Sequence, residues 1–433
     1  MTPAGRRALL ERCFAAALAR VDAQAAVRRA LARDGGVLRI AGEAVPADAR
    51  IHVVAAGKAA AAMARAFEDV AGDLVAGGVA VTRDGGELPL RCLELRSASH
   101  PVPDARSAAA GAAVLAAAAA AAPGDWLVVL LSGGASALLA HPLAGLGAAD
   151  LRATTAALLA SGAPIEELNA VRKHVAAVTG GRLAQATRAA RVAVLALSDV
   201  LGDDPAVIAS GPCSADPTTY ADSLAILARR GVGARVPAAV VAHLEAGARG
   251  ERAESAKPGD PALARVSYRV LASNRDALAG ANAAARDAGA AALVVTDALR
   301  GEARLAGVRL AALARAARPA RPTLLAAGGE TTVTVRGAGL GGRCQELALA
   351  AAGRLAGLEN ATLLAAGTDG SDGPTDAAGA FADGGTLARA RLDPERALAE
   401  NDSHRFLAAA GDLFRTGPTR TNALDLALLL VGP

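Results

Sequence analysis

The sequence predicts an α/β protein built on a largely parallel sheet. Short runs of Val, Ile and Leu alternate along the chain with longer alanine-rich stretches at helical spacing. Most of the short runs end at glycine, as strands do when they turn into a helix. The 433 residues exceed the usual length of one domain, so we expect two or three domains.

In the first half, the pattern predicts a helical opening followed by strands that turn through small residues. The opening helix is expected over 4–32, and strands over 51–55, 126–131 and 192–197. Residues 108–122 are mostly alanine and predict a helix that ends before Pro123. This half therefore has the alternating order typical of a parallel sheet.

The second half predicts its own α/β layer. Its strand candidates are residues 268–272, 293–296, 323–327, 331–335 and 362–366. Between the halves, 247–261 is polar, rich in Gly, Pro, Glu and Arg, and has no apolar periodicity. We therefore expect a first domain over 1–246, a linker or exposed loop over 247–265, and a second domain over 266–433. Whether some later strands return to the first sheet stays open.

Composition and charge exclude several classes of protein. The 46 basic and 42 acidic residues leave a net charge of only +4, and the chain has few aromatic side chains, so nucleic-acid binding is not expected. The four cysteines have no CxxC spacing, which indicates free thiols in a reducing compartment. No segment has the pattern of a signal peptide or a membrane span. We expect a cytoplasmic protein.

Lysine is scarce in this chain, with arginine supplying nearly all of the positive charge. A lysine that persists in such a background is a candidate for chemistry that needs a compact ammonium group. Lys58 follows the first strand directly after Gly57, at the end of a strand where open α/β sheets bind ligands. The alternative is a solvated surface lysine.

Two further clusters in the first half suit an anion. Ser132, Gly133, Gly134 and Ser136 follow the second strand, where exposed N–H groups at a strand-to-helix turn can bind phosphate or carboxylate. Arg172 and Lys173 lie on a predicted helix and can bind a carboxylate or polyphosphate. The alternatives are a plain connection for the first cluster and a solvated helix face for the second.

Carboxylates follow the predicted strands as well. Asp199 comes directly after the third strand and is a candidate for a base or a magnesium ligand, with an acidic turn as the alternative. In the second half, small-residue turns carry ionisable or hydroxyl groups. These turns contain Gly328, Gly329, Glu330, Arg343, Thr368, Asp369, Asp372 and Asn422.

Taken together in this order, the clusters resemble the type II glycerate 2-kinases. The resemblance covers nearly the whole chain and rests on these segments: 57–58, 132–138, 172–174, 198–199, 210–212, 328–330, 341–343, 345–346, 366–378 and 416–422. It implies a Rossmann-like first domain, a smaller α/β second domain and an active site in the cleft between them. It also implies transfer of the γ-phosphoryl group of ATP to the 2-hydroxyl of D-glycerate, with Mg²⁺. Three positions depart from the family pattern: Ala135, Cys213 and Cys344 replace glycine, threonine and asparagine.

The resulting hypothesis gives each cluster a role in phosphoryl transfer. The catalytic candidates are Lys58, Asp199 and Arg343, and the metal candidates are Asp199, Glu330 and Asp369. The candidates for binding substrate or phosphate are Ser132, Gly133, Gly134, Ser136, Arg172, Lys173, Gly328, Gly329, Thr368 and Asp369. Three alternatives stay open: an NAD(P)H-dependent hydroxypyruvate reductase, a kinase for another sugar acid, and a binding module without turnover. The oligomeric state is open too, with a homodimer as one option.

Overall fold

The strands form three sheets in a computed structural model that describes residues 1–433. Their bounds are β1 Leu31–Asp34, β2 Val37–Ile40, β3 Glu43–Ala44, β4 Ile51–Ala56, β5 Val75–Arg83, β6 Glu94–Ala98, β7 Trp126–Leu131, β8 Arg191–Leu197, β9 Val266–Ala272, β10 Ala291–Leu299, β11 Thr323–Gly329, β12 Ala361–Gly367, β13 Gly379–Asp383, β14 Leu413–Phe414 and β15 Asp425–Val431.

Helices connect most of these strands. Their bounds are α1 Pro3–Arg20, α2 Ala23–Ala30, α3 Ala60–Ala71, α4 Ala105–Ala119, α5 Ala135–Leu138, α6 Ala148–Ala160, α7 Ile165–Lys173, α8 Arg182–Ala186, α9 Tyr220–Arg229, α10 Ala238–Ala248, α11 Asn274–Asp287, α12 Ala303–Ala316, α13 Arg343–Leu355, α14 Thr386–Ala390, α15 Pro394–Ala399 and α16 Ser403–Ala410. Short 3₁₀ turns lie at Gly72–Leu74, Ile208–Ser210, Gly233–Arg235 and Pro261–Arg265. None of the helices is both long and apolar enough to span a bilayer.

The chain divides into two units, which we name by their sheets. The parallel-sheet unit comprises Ala23–Ser198 and Asp203–Leu271, and the mixed-sheet unit comprises Met1–Asp22, Asp199–Gly202 and Ala272–Pro433. The α/β class predicted from the alternating runs is confirmed, but the largely parallel sheet predicted with it occurs only in the first of these units.

The parallel-sheet unit has a six-stranded sheet in the order β6-β5-β4-β7-β8-β9. Adjacent strands from β6 to β8 pair in parallel, and this strand order is that of the Rossmann fold. The central strands β4, β7 and β8 are buried on both faces, so their sequences are continuous Val, Leu and Ala runs without alternation. The Rossmann-like first domain is therefore confirmed.

The mixed-sheet unit has a six-stranded sheet in the order β10-β11-β15-β12-β13-β14. Only β10 and β11 pair in parallel, and the other neighbours are antiparallel. The apolar strand β15 lies in the middle, between β11 and β12, and every one of its residues is buried. Helices α12 and α13 pack a leucine- and alanine-rich core against this sheet.

The division of the chain differs from the predicted boundaries at 246 and 266. The N-terminal helix α1 belongs to the mixed-sheet unit, because Phe14 packs edge-on against Phe414 with ring centroids 5.3 Å apart and Arg6 Nε donates to Thr362 Oγ1 at 2.9 Å. The predicted linker at 247–265 lies within the parallel-sheet unit, where Ala256 hydrogen-bonds the backbone of both Gly180 and Asp216. Ser255 and Ala256 are buried, and none of the charged residues of this segment is buried, so it is a surface loop held at its centre and does not connect the two units.

Strand β9 joins the edge of the parallel sheet, although the sequence predicted it in the second domain. The segment 331–335, predicted as a strand, forms only one isolated bridge, between Thr332 and Glu302. Val333 packs against the core of the mixed-sheet unit, whereas Val335 at the end of the segment is exposed. That strand prediction is wrong because no neighbouring strand pairs with the segment beyond this one bridge.

Candidate active site

The parallel sheet reverses its strand order between β4 and β7. Strands β5 and β6 lie on one side of this point, and β8 and β9 on the other. Open α/β sheets bind ligands at such a switch point, outside the carboxyl ends of the strands. The last paired residues are Ala56 and Leu131, so the next residues in each chain segment are Gly57–Lys58 and Ser132–Gly134. The fold therefore brings two of the predicted clusters to one place.

Hydrogen bonds join these two turns directly. The Lys58 N–H donates to the Gly133 carbonyl at 2.8 Å, and the Ser132 N–H donates to the Ala56 carbonyl at 3.0 Å. The Ser132 hydroxyl accepts from the Ala59 N–H at 3.0 Å, so this side chain holds the start of the α3 segment. The backbone of Lys58 is thus fixed while its side chain stays partly exposed.

Glycine is required where the two turns cross. Gly57 has a φ of +127°, and a Cβ there would lie 2.2 Å from Ser132 Oγ and 2.3 Å from the Ser132 carbonyl oxygen. Gly134 has a φ of +88°, and a Cβ there would lie 2.9 Å from the His100 ring. Both positions combine a left-handed backbone with a close approach, which only glycine tolerates. Ala135 follows as the first residue of α5, whose four residues make a helix too short for a substantial dipole.

We expect Gly57→Ala to destabilise the parallel-sheet unit by about 3 kcal/mol, because the added methyl group overlaps backbone atoms and strains φ. Urea denaturation monitored by circular dichroism measures this loss. Gly124→Ala is the control, because nothing lies within 4 Å of a Cβ built at Gly124. Gly86→Ala would not serve, because a Cβ at Gly86 would also be crowded by its neighbours. Equal stability of the Gly57 and Gly124 variants would contradict the interpretation.

Ser136 lies beside Ser210 in the same unit. Their hydroxyl oxygens are 2.9 Å apart, and the Ser210 hydroxyl donates to Asn169 Oδ1 at 3.2 Å. Ala209 and Ser210 both have positive φ, of 54° and 58°, which is costly for residues other than glycine. The surrounding structure holds Ser210 in this strained turn, and such strain concentrates at functional sites.

Arg172 and Lys173 do not act as one cationic group. Lys173 is buried, and its ammonium lies 3.5 Å from Asp216, which is itself fully buried. Burial alone would raise the pKa of Asp216, but hydrogen bonds from Thr218 and Ser255 and the nearby charges of Lys173 and His174 lower it. Lys173 therefore belongs to a buried ion pair that holds α7 in place. The expectation that it binds substrate gains no support here, because its ammonium group is buried in this ion pair.

Arg172 points to a different environment, a pocket that it lines together with Ser136 and Ser210. Burial lowers the pKa of Arg172, and no carboxylate lies within ion-pair distance of its guanidinium. Apolar side chains, among them Leu151, Leu158 and Val175, form about half of the pocket wall, and serine and threonine hydroxyls form most of the rest. This arrangement suits an anion supplied from outside the protein.

In the mixed-sheet unit, the register of the strands gathers a second set of candidates. Asp425, the first residue of β15, pairs with Gly329 at the end of β11 and with Gly367 at the end of β12. Glu330 and Thr368 follow those two glycines in the chain. Because β15 is antiparallel to both neighbours, its beginning meets their ends at one edge of the sheet.

Arg343, the first residue of α13, forms ion pairs at this edge. Its guanidinium binds the two Asp425 oxygens at 2.5 and 2.9 Å and Glu330 Oε1 at 2.6 Å. Burial would lower the pKa of Arg343, but the bonds to Asp425 and the charge of Glu330 raise it. The sequence analysis did not single out Asp425. Its place directly before the six apolar residues of β15, shortly after Asn422, could have indicated a carboxylate at a strand end.

Other predicted binding residues are engaged in holding this edge together. The Thr368 hydroxyl donates to the Leu424 carbonyl at 2.6 Å and accepts from the Ala423 N–H, so it is structural. Gly328 leaves room for Asn274, since a Cβ at Gly328 would lie 1.8 Å from Asn274 Oδ1. The Asn274 amide group in turn donates to the carbonyls of Ala423 and Asp425. These corrections follow from hydrogen bonds across long sequence separations, which local patterns do not encode.

The predicted metal ligands have separate partners. Asp199 accepts a hydrogen bond from Asn422 at 3.0 Å, Asp369 accepts one from the Ser371 N–H at 3.0 Å, and Glu330 pairs with Arg343. No group of three or more His, Cys, Asp or Glu side chains is arranged to hold a metal ion by itself. Mg²⁺ bound with a nucleotide needs only one or two carboxylates besides phosphate and water, so these oxygen donors fit it. Which of the three carboxylates bind it stays a prediction.

Asp372 caps the helix that carries Arg343. It accepts from the N–H groups of Cys344 and Gln345 at 3.0 and 2.8 Å and from the Gln345 side chain at 2.9 Å. Burial nevertheless raises its pKa to about 6. Cys344 donates its N–H to Asp372, and its buried thiol lies beside Asp425 at the edge of the leucine- and alanine-rich core.

Because the pKa of Asp372 is higher in the folded chain than its ordinary value of 3.8, its contribution to stability is complete below pH 3.8 and lost as the pH rises through about 6. Asp372→Asn has no carboxyl group to titrate, so we compare its unfolding free energy with that of the wild type at each pH. Between pH 3.8 and about 6, we expect the wild type to lose about 3 kcal/mol relative to this variant, at roughly 1.4 kcal/mol per pKa unit. Denaturation curves at pH 4, 5, 6 and 7 measure it. A difference that does not change with pH would contradict the raised pKa.

Comparison with known proteins finds family models and relatives that match this chain. Residues 9–245 match the family described as "Domain of unknown function (DUF4147)", and residues 323–425 match the MOFRL family. A protein of Agrobacterium vitis with the provisional name hydroxypyruvate reductase is 42% identical over 98% of this chain and 94% of its own. The glycerate 2-kinase of Pyrococcus horikoshii is 39% identical over 96% of this chain and 95% of its own.

The fold is also similar to a solved structure over its whole length. The crystal structure of glycerate kinase from Thermotoga maritima superimposes with a TM-score of 0.86 at 36% identity, covering 99% of this chain and 100% of that one. Identity of this size over nearly the full chain, together with the two matched domains, shows a common family. The chain belongs to the glycerate 2-kinase family, with the DUF4147 and MOFRL domains in its two halves.

Proposed function

We propose that this protein transfers the γ-phosphoryl group of ATP to the 2-hydroxyl of D-glycerate, giving 2-phosphoglycerate and ADP. The names of its relatives support this reaction. The observation that carries it is Lys58 at the switch point of the parallel sheet, hydrogen-bonded through its backbone to the Gly133 carbonyl of the glycine turn. A lysine and a small-residue turn at this position suit a phosphorylated ligand.

Phosphoryl transfer needs positioning and charge compensation more than covalent chemistry. In the parallel-sheet unit, Lys58 compensates the charge of the transferring phosphoryl group. The turn of Ser132, Gly133 and Gly134 supplies backbone donors that its glycines leave accessible. Since α5 has only four residues, we attribute anion binding here to individual N–H groups and hydroxyls.

In the mixed-sheet unit, Arg343 contributes a second positive charge, oriented by Asp425 and Glu330. Asp199, held by Asn422, accepts the proton that leaves the 2-hydroxyl of the acceptor. When bound, Mg²⁺ neutralises phosphate charge, and carboxylates among Asp199, Glu330 and Asp369 would hold it.

Two alternatives share the same substrate neighbourhood. One is a hydroxypyruvate reductase, the provisional name of a relative. The turn after β4 contains Gly57, Lys58 and Ala59, and lacks the G-x-G-x-x-G pattern by which Rossmann folds bind a dinucleotide. The other is a kinase that phosphorylates a different small sugar acid. A homodimer and a cytoplasmic location remain predictions.

A coupled assay separates these functions. Purified protein with Mg²⁺, ATP and D-glycerate is expected to release ADP only when D-glycerate is present, and phosphorus NMR is expected to show 2-phosphoglycerate. Parallel reactions replace D-glycerate with other sugar acids, or supply NADH and hydroxypyruvate. Oxidation of NADH without any release of ADP would overturn the kinase in favour of the reductase.

A further inference from the structure

A pocket between α5, α6 and α7 in the parallel-sheet unit has features of a built binding site. It is lined by Ser136 on α5, by Thr154 and Leu158 on α6, by Arg172 at the end of α7, and by Thr179 beyond it. The rest of its wall includes the apolar side chains of Pro103, Leu151 and Val175 and the hydroxyls of Thr155 and Ser210. Polar atoms within such a wall interact strongly with a ligand, because water does not screen them.

Two of the polar groups on this pocket, Arg172 and Thr179, have no partner within the chain. Arg172 is partly buried among apolar side chains, and no carboxylate within the chain pairs with it. Thr179 is only 4% exposed, and its hydroxyl has no hydrogen-bond partner at all. An unpaired buried hydroxyl and an unpaired desolvated cation are each costly, so their occurrence on one pocket indicates a ligand that satisfies both.

The hydroxyls of Ser136 and Ser210, which both line the pocket, indicate what the ligand carries besides its anionic group. Ser210 donates its proton to Asn169 Oδ1, so in the 2.9 Å contact between the serines it is Ser136 that donates. Ser136 therefore offers lone pairs toward the pocket, while Arg172 and Thr179 offer protons. A ligand with an anionic group and a neighbouring hydroxyl matches this set of donors and acceptors.

We propose that this pocket binds the carboxylate of a small hydroxy acid, with Arg172 and Thr179 donating to the carboxylate and Ser136 accepting from a hydroxyl of the acid. The inference rests on the proposed function for the identity of the acid, D-glycerate. Arg172 and Thr179 are thus binding residues for the acceptor substrate, separate from the switch-point turn that carries Lys58. The apolar wall excludes water from the carboxylate and limits the length of the acid.

Calorimetric titration of D-glycerate without ATP tests the site independently of turnover. We expect Arg172→Ala to weaken binding by roughly 30-fold or more, as for loss of a charge-assisted hydrogen bond. We expect Thr179→Val, which keeps the shape and removes the hydroxyl, to weaken binding about 5-fold without loss of stability, because this hydroxyl has no partner to lose.

Matched variants control for nonspecific effects. Thr187→Val makes the same change at a buried threonine outside the pocket, whose hydroxyl accepts from the Ala189 N–H at 3.2 Å. Arg152→Ala removes an exposed cation from the neighbouring helix α6. We expect both controls to bind D-glycerate within about twofold of the wild type.

Titration with ATP identifies the source of the anion. If Arg172→Ala lost affinity for ATP and kept it for D-glycerate, the anion would be a phosphate and the proposal would be overturned. Unchanged D-glycerate binding by the Arg172 and Thr179 variants, or no binding by the wild type, would overturn it too. If the wild type binds D-glycerate with the expected pattern but releases no ADP, the proposed kinase function fails while this site stands.

Discussion

Replacing Lys58 with alanine is expected to lower kcat for glycerate phosphorylation by at least about 100-fold, the scale of a lost charge contact in the transition state. The side chain lies at the switch point of the parallel sheet, and hydrogen bonds from the backbone of Lys58 and Ala59 hold its position independently of the ammonium group. We therefore expect the variant to fold normally. Steady-state kinetics and a thermal unfolding curve on the same sample measure both quantities.

Arg188→Ala is the matched control for this variant. Arg188 is exposed and lies shortly before β8, so its positive charge is at the amino ends of the parallel strands, the edge of the sheet opposite to Lys58. We expect this control to retain kcat within about threefold, because surface charges away from a site have small effects. Near-normal turnover by the Lys58 variant would remove this residue from the chemistry.

Removal of Arg343 is expected to have two separate effects. Arg343→Ala leaves Asp425 and Glu330 without their common partner, and we expect a loss of about 2 kcal/mol in stability, reduced from the cost of a fully buried pair because the Arg343 side chain is 36% exposed. We also expect kcat to fall by at least about 100-fold through loss of a charge on the phosphoryl group. Chemical denaturation and kinetics measure the two effects.

A double-mutant cycle with Asp425→Asn separates the effects. In Arg343→Ala/Asp425→Asn the unpaired carboxylate is gone, so stability is expected to recover while kcat stays low. Arg389→Ala serves as the control, because Arg389 also bridges two carboxylates, Asp383 and Asp412, in the same unit. We expect it to lose stability and keep its kcat. Recovery of kcat together with stability in the double variant would show that Arg343 acts only by holding this edge of the sheet.

The comparison of Arg172 with Lys173 shows how far sequence reasoning reaches. Both are cations on one helix, and the sequence treats them as one group. Successive residues of a helix point about 100° apart, so one side chain enters a pocket while the other is buried against Asp216. Asp216 is 43 residues away from Lys173 in the chain, and no local pattern announces the pair.

The same limit applies to Thr368 and Asp425. The sequence predicts that the Thr368 hydroxyl, in a glycine-rich turn, binds substrate or phosphate. In the structure it donates a hydrogen bond to the Leu424 carbonyl, 56 residues away in the chain. Asp425 pairs with Arg343 only because β15 enters the mixed sheet antiparallel between β11 and β12. Strand order and direction are properties of the whole sheet, so they decide contacts that neither segment encodes alone.

The sequence by itself determined the α/β class, most of the strands, the clusters at their ends, and the family to which those clusters belong. These depend on local regularities: apolar runs for buried strands, alanine-rich periodicity for helices, and glycine where a turn needs a positive φ or close approach. Only the tertiary structure decided that Lys58 and the Ser132 turn share the switch point, that α1 belongs to the mixed-sheet unit, and that Arg172 and Thr179 face one pocket. Each of these features depends on pairing and packing between segments far apart in the chain. The stabilising free energy comes from the contact between two segments, so neither segment's own sequence predicts it.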